Sequence, residues 1–226
     1  MKKPCTQFLR YVFIGIIGIG FLLLLAITAE PLKADAPHDI KPFVPPGWRI
    51  EYQVSGDVDA DRIPDIALIL RQTSPKKILR GEFLSEDVEV DLNPRMILIL
   101  RRTRGGYQVI ARNDRLIPAP DNEVIIDPLD YFKIEHRKVI LQISYFATMG
   151  SWTASTSRFA FRFDDECLHL TRYEYVEFHR AAPDETRKVI DYVFREGLEP
   201  PKQSGRMKPV PGPCIETLGD AWETNW

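Results

Sequence analysis

This 226-residue sequence predicts an all-β domain, predominantly antiparallel, arranged as a meander or sandwich, and three observations carry that prediction. Short apolar runs rich in β-branched and aromatic residues follow one another in quick succession, separated by glycine, proline and aspartate. Few segments show a 3.6-residue apolar period, so helices are not expected. Several runs instead alternate with period two, the signature of half-buried strands.

Taken in order, the chain opens on a targeting segment. Lys2, Lys3 and Arg10 form a positive flank, and residues 11–29 carry no charge. This stretch exceeds the roughly 7–15 residues of an ordinary signal core and approaches the roughly 20 that span a bilayer. Residues 1–29 therefore read as a cleaved signal peptide or as a retained membrane anchor. Either way the remainder is exported: periplasmic, cell-surface or secreted, or anchored with the domain outside the cytoplasm. Cys5 precedes the apolar run, so lipidation is not expected. Residues 30–46 are proline-rich, lack periodicity and read as a linker.

The domain is expected over residues 47–196. Trp48 to Val54 alternates. Asp65 to Leu70 is nearly continuous apolar sequence, as a central strand would be, and Met96 to Leu100 is another. Gly105-Gly106 separates it from Tyr107 to Ile110, which predicts a hairpin. Lys138 to Phe146 alternates, and Ser157 to Phe163 places Phe159, Phe161 and Phe163 on one face. Met149-Gly150-Ser151 is the turn between those two. Cys167 to Phe178 reads as a long, bulged strand, and Lys188 to Phe194 as the last. Glu82–Val90 and Leu116–Tyr131, rich in acids or prolines, read as loops. In the tail, residues 197–226, Pro200, Pro201, Pro209, Pro211 and Pro213 bar regular structure through much of its length.

About 190 exported residues favour a single domain with a sizeable core. From residue 30 onward 27 basic residues face 32 acidic ones, a net charge of −5. That excludes nucleic acid as an expected partner, because phosphate binding needs a basic patch. Two cysteines follow the targeting segment, Cys167 and Cys214. An even count in an oxidising compartment favours a disulfide. It would close a loop of about 48 residues, worth roughly 4 kcal/mol, and tether the tail. The other reading is two separate thiols.

The run Gly56-Asp57-Val58-Asp59-Ala60-Asp61-Arg62-Ile63-Pro64-Asp65, leading into Ile66 to Leu70, concentrates carboxylates as D-x-D-x-D-x-x-x-D. A hard cation such as calcium takes six to eight oxygens, and closely spaced aspartates supply them. The run resembles the calcium loop of FG-GAP/VCBS repeats, in which such a loop precedes a strand. The resemblance covers residues 56–70. It implies that side-chain oxygens of Asp57, Asp59, Asp61 and Asp65, with the Ile63 carbonyl, hold calcium. The chain departs from the family at Arg62, where glycine is usual. A side chain at that turn costs roughly 1 kcal/mol. Propellers of the family need several repeats, and only one is present here, so no propeller is implied. The competing reading is an Asp-rich turn held by Asx-type hydrogen bonds without an ion.

Tyr173 to Arg180 mixes aromatic and charged residues. On a strand, Tyr173, Tyr175, Glu177 and His179 share a face, which suits stacking on a sugar or peptide and equally suits an ordinary cross-strand surface. Ser151 lacks the G-x-S-x-G elbow of a nucleophile. His38, His136, His169 and His179 show no zinc spacing. Cys167 and His169 share a strand face, a weak metal or nucleophile signal.

The expected function is non-catalytic: an exported β-domain that binds a protein or glycan partner through its sheet face or loops, with calcium ordering one turn. Two alternatives stand. One is a hydrolase of envelope or extracellular polymer, with Glu174, Glu177 and His179 as nearest candidates. The other is an accessory subunit held in the membrane by residues 1–29.

Overall fold

The computed structural model describes residues 39–83, 86–120, 124–164, 166–192, 206–208 and 211–223. The targeting segment, the linker up to residue 38, and Pro200, Pro201 and Pro209 lie outside them. The described strands are β1 (Trp48–Gly56), β2 (Asp65–Gln72), β3 (Ile78–Phe83), β4 (Glu86–Asp91), β5 (Arg95–Thr103), β6 (Gly106–Asn113), β7 (Leu129–Glu135), β8 (Lys138–Tyr145), β9 (Thr153–Phe163), β10 (Leu168–His179), β11 (Glu185–Tyr192) and β12 (Arg206–Lys208). One sheet has the order β1-β2-β5-β6 and a second the order β12-β11-β10-β9-β8-β7, with β3-β4 a separate ribbon. Pairing is antiparallel apart from the short parallel contact of β12 with β11.

The two larger sheets share one apolar interior. Ala67, Ile69, Ile97 and Ile99 from the four-stranded sheet join Leu141, Phe159, Phe161, Leu168, Leu170 and Tyr173 from the six-stranded one. This is a β-sandwich, one of the two architectures expected. The unbroken apolar runs of β2 and β5 have a second cause. Their alternate residues Leu68, Leu70, Leu98 and Leu100 form a separate buried cluster on the outer face. Ile40, Phe43, Val44 and Trp48 pack over it. Strands covered on both sides lose the alternation that a half-exposed strand keeps. The packed domain thus reaches back to residues inside the proline-rich segment.

Bulges set which side chains face inward. In β10 the register against β9 slips between Leu170 and Arg172, leaving Thr171 unpaired. Its hydroxyl donates to the Ala160 carbonyl at 2.9 Å. The extra residue reverses the alternation, so Leu168 and Leu170 before it, and Tyr173 and Tyr175 after it, turn to the same core. A second slip in β1 falls at Glu51.

Glu51 belongs to a charge cluster built on two buried arginines, with Asp127 half exposed at its rim. Arg71 and Arg95 stand opposite one another on β2 and β5. Arg95 donates to Glu51 at 2.7 and 2.9 Å and to Asp127 at 2.8 and 2.6 Å. Arg71 donates to Asp127 at 3.1 Å and pairs with Asp91 at 3.1 Å. Its Nε lies 3.2 Å from Glu51 as an ion pair without hydrogen-bond geometry. Burial would raise Asp127, but hydrogen bonds from Arg95 and the Leu129 N–H hold it below the usual carboxylate range. Asp91 is likewise raised by burial and lowered further by Asn93 and Arg71, with a net fall.

The tail continues the six-stranded sheet by other means. β11 pairs with β10 only from Arg172 onward. Beside the first part of β10 the tail takes its place, with Leu170 N–H donating to Pro213 O at 3.0 Å. Cys167 and Cys214 are bonded there, Cα atoms 5.8 Å apart, as expected. Gly212 has to be glycine, because a Cβ would lie 1.7 Å from the Leu170 carbonyl. Asn113 then donates to the carbonyls of Ile215 and Leu218 at 2.6 and 2.9 Å.

Two expectations need correction. Glu82–Val90 is not a loop: β3 and β4 pair across it, with Asp87, Glu89 and Asp91 at alternate strand positions. The stretch Leu116–Tyr131 contains the start of β7 at Leu129 and a bridge from Ile125 to Ala147.

Truncating Arg95 should cost about 3 kcal/mol, the lower end for a broken buried pair, because Glu51 and the half-exposed Asp127 would keep only Arg71. Urea denaturation of Arg95→Ala at pH 7 measures it. The depressed carboxylates Asp91 and Asp127 contribute stability above about pH 3.9, the unfolded value, and that contribution disappears as pH falls through their lower folded values. The wild type should therefore lose stability on acidification more steeply than Arg95→Ala.

Candidate binding cleft and acidic loop

β1 ends and β2 begins around the acidic run. Gly56 packs so tightly on β7 that a Cβ would meet Ile134 at 2.6 Å. The chain then turns through Asp57–Pro64. Ala60 N–H donates to Asp57 at 2.7 Å, Asp61 N–H to Asp59 at 3.1 Å, and Ile63 N–H to Asp61 at 2.6 Å. Ala60 and Arg62 take φ of 75° and 70°. Arg62 thus occupies the left-handed conformation at the position where the resembling family has glycine. Oxygens of Asp57, Asp59 and Asp61 can be chosen that all lie within 4.8 Å of one another.

Asp65 sits apart from that group and is fully buried. Its oxygens accept the Val58 N–H at 2.8 Å and the Arg102 N–H at 2.9 Å. Burial, with the Asp59 and Asp61 charges, raises Asp65 above the usual carboxylate range against the pull of those N–H groups. Asp59 is raised first by burial and then by the charges of Asp61 and Asp57. Arg101 stands 3.9 Å from Asp59, and Arg137, from the β7–β8 turn, 3.7 Å from Asp57. Ile63 is exposed at the loop's tip.

A second site lies on the inner face of the six-stranded sheet. Cross-strand rows can be read from the register. The row Leu141, Phe159, Tyr173, Ile190 is buried core. The next is Ile143, Ser157, Tyr175, Lys188, and the one beyond it Tyr145, Ser155, Glu177, Thr186. Polarity rises row by row, and the last two rows line a cleft of about 510 Å³. Ala221 and Trp222 of the tail form its side wall, Trp222 meeting Tyr145 edge-on at 5.3 Å. A shallower cavity of about 320 Å³ continues it past Glu177 toward His179 and Asp184.

The cleft side chains are held in place. Tyr175 donates to Glu177 at 2.7 Å, and Tyr173 and Ser157 approach to 3.4 Å. Burial pushes Tyr173 up to about 12, and Tyr175 is raised by burial and by Glu177. Both phenols therefore stay neutral hydrogen-bonding groups at neutral pH.

Of the residues the sequence singled out, Tyr173, Tyr175 and Glu177 come together in this cleft. Glu174 does not: it points to the opposite face, where Arg172 donates to it at 2.6 Å. Ser151 is a turn residue, its Oγ donating to Thr153 O and accepting the Thr153 N–H. Cys167 and Cys214 are consumed by their disulfide, and His169 beside them lies 2.7 Å from Gly212 O and 2.9 Å from Asp164. Sequence reasoning missed Trp222, Lys188 and the hydroxyl row Thr153, Ser155, Ser157. Alternation along β9 was the available signal for that row. The chain matches no protein-family model, and no curated protein or solved structure is significantly similar to it.

Replacing Arg62 by glycine should raise stability by about 1 kcal/mol, since φ of 70° strains any residue with a Cβ. Paired urea melts in chelator check it, and an unchanged midpoint would show the turn to be unstrained.

Proposed function

We propose that this protein is an exported, non-catalytic binding domain that holds a protein or glycan partner in the cleft of its six-stranded sheet. One observation supports this above the others: the inner face changes from apolar core to an open surface of hydroxyls, tyrosines, Glu177 and Lys188 without leaving the sheet. Such a surface binds through several placed polar groups set among aromatic rings. Catalysis by Glu174 with Glu177 is disfavoured, because the two side chains occupy opposite faces. The disulfide suits an oxidising compartment, and no helix among the described residues is long and apolar enough to cross a membrane.

Calcium in the Asp57–Asp65 loop belongs to the same reading as a structural ion. Support comes from the three gathered carboxylates and from the raised Asp59 and Asp65. A cation relieves the same repulsion that a proton would.

Two measurements test these parts. Calcium at a hundred times its Kd should stabilise the wild type by about 2.7 kcal/mol relative to chelator and leave Asp59→Ala unmoved. Equal melting temperatures in calcium and chelator would remove the ion from this account. For the cleft, ligand binding should perturb Trp222 fluorescence, and Trp222→Ala should weaken binding about tenfold without moving the melting temperature by more than a few degrees. Ligands indifferent to Trp222→Ala and Lys188→Ala bind elsewhere.

A further inference from the structure

We infer that the cleft and the shallower cavity beside it form one trough for a linear, uncharged glycan several sugar rings long; this rests on the cleft being the binding site. The two cavities adjoin, with Thr153, Glu177 and Thr186 in the lining of both. Along β10 the open part of the trough runs from Tyr175 to His179, four residues or about 13 Å. That suits a chain better than a compact molecule, and the trough is open along its length.

Chemistry selects the class. Thr153, Ser155 and Thr186 each carry a hydroxyl that both donates and accepts, matching the hydroxyls of a sugar. Tyr145 and Trp222 add aromatic surface to one wall, suited to the apolar faces of sugar rings. Charge argues against an anionic ligand. Glu177 and Asp184 line the trough against the single ammonium of Lys188. A carboxylate there accepts from paired ring hydroxyls. An extended peptide is a poorer match. Its backbone is best satisfied by a strand edge, whereas the floor here is a sheet face whose backbone groups already serve the β8–β9–β10–β11 ladders.

The far end carries a platform. Trp152 is 67 % exposed and stacks on His179, rings 6.2 Å apart and within 20° of parallel. Its loop is braced. Arg180 donates to the carbonyls of Ala147 and Ser151 at 2.8 and 3.2 Å, and its guanidinium covers Phe146 at 4.5 Å. Arg180 N–H also donates to the Trp152 carbonyl at 2.7 Å. A large ring held in water on a fixed loop loses little freedom when a ligand covers it. Trp152 would stack on a sugar unit that short ligands do not reach.

The test uses the full exported protein with its disulfide intact, and calorimetric titration with neutral cello-, xylo-, manno- and chito-oligosaccharides from monomer to hexamer. Oligogalacturonate and an uncharged extended hexapeptide serve as competing classes. For at least one neutral series, affinity should climb with chain length beyond the dimer. Trp152→Ala should weaken the hexamer about tenfold, the worth of one stacking contact, and leave the dimer unchanged. Trp222→Ala should weaken both. A monomer that binds as tightly as the hexamer would overturn the trough. Binding of oligogalacturonate or peptide, sensitive to Trp222→Ala, with no neutral glycan bound, would overturn the ligand class and keep the cleft. Absence of any binding sensitive to Trp222→Ala would overturn both.

Discussion

One sheet face carries both the core and the cleft, and most of the structure follows from that continuity. β9 and β10 run for 11 and 12 residues, and their inward side chains change in character along the way. Toward Phe161 and Leu168 the inner rows are Phe, Leu and Ile. Toward Thr153 and His179 they change to Ser, Thr, Tyr, Glu and Lys, which line the open cavity. The cleft is therefore the uncovered end of the same surface that makes the core. Its floor inherits the rigidity of the interior.

The Thr171 bulge makes that continuity possible. Without it, strict alternation would send Tyr173, Tyr175 and Glu177 to the face opposite Leu168 and Leu170. One inserted residue keeps core anchors and cleft residues of β10 on a single side. The tail adds the wall. It is pinned by the disulfide at one point and by Asn113 at another, with Ile215, Leu218 and Ala221 buried between the pins and the rim. Trp222 is thus carried to the cleft by a segment that contributes to the core.

Charge is managed differently at the two ends of β2. At Arg71 two buried arginines and the acids around them neutralise one another directly. At Asp65 a buried carboxylate is held by backbone N–H groups, while the charges of Asp59 and Asp61 oppose its ionisation. The first arrangement lowers Asp91 and Asp127, and the second raises Asp59 and Asp65. The second end is where the proposed cation would act.

Much of this was legible in the chain. Period-two alternation and turn residues identified β1, β6 and β8–β11, because local patterning alone separates strand from helix. The unbroken runs at Asp65–Leu70 and Met96–Leu100 marked central strands. The pairing of Cys167 with Cys214 followed from their number. β3 and β4 stayed hidden, since the charges that alternate with Leu79, Val88 and Val90 made the stretch read as an acidic loop. Tyr173, Tyr175 and Glu177 were grouped correctly by alternation, but their neighbours could not be. Ser155, Lys188 and Trp222 come from β9, β11 and the tail, separated by tens of residues, and only strand register brings them to one surface. Local sequence dictates which residues form strands and which way neighbours point. Which strands pair, and in what register, depends on long-range contacts, and in this molecule that pairing assembles the cleft.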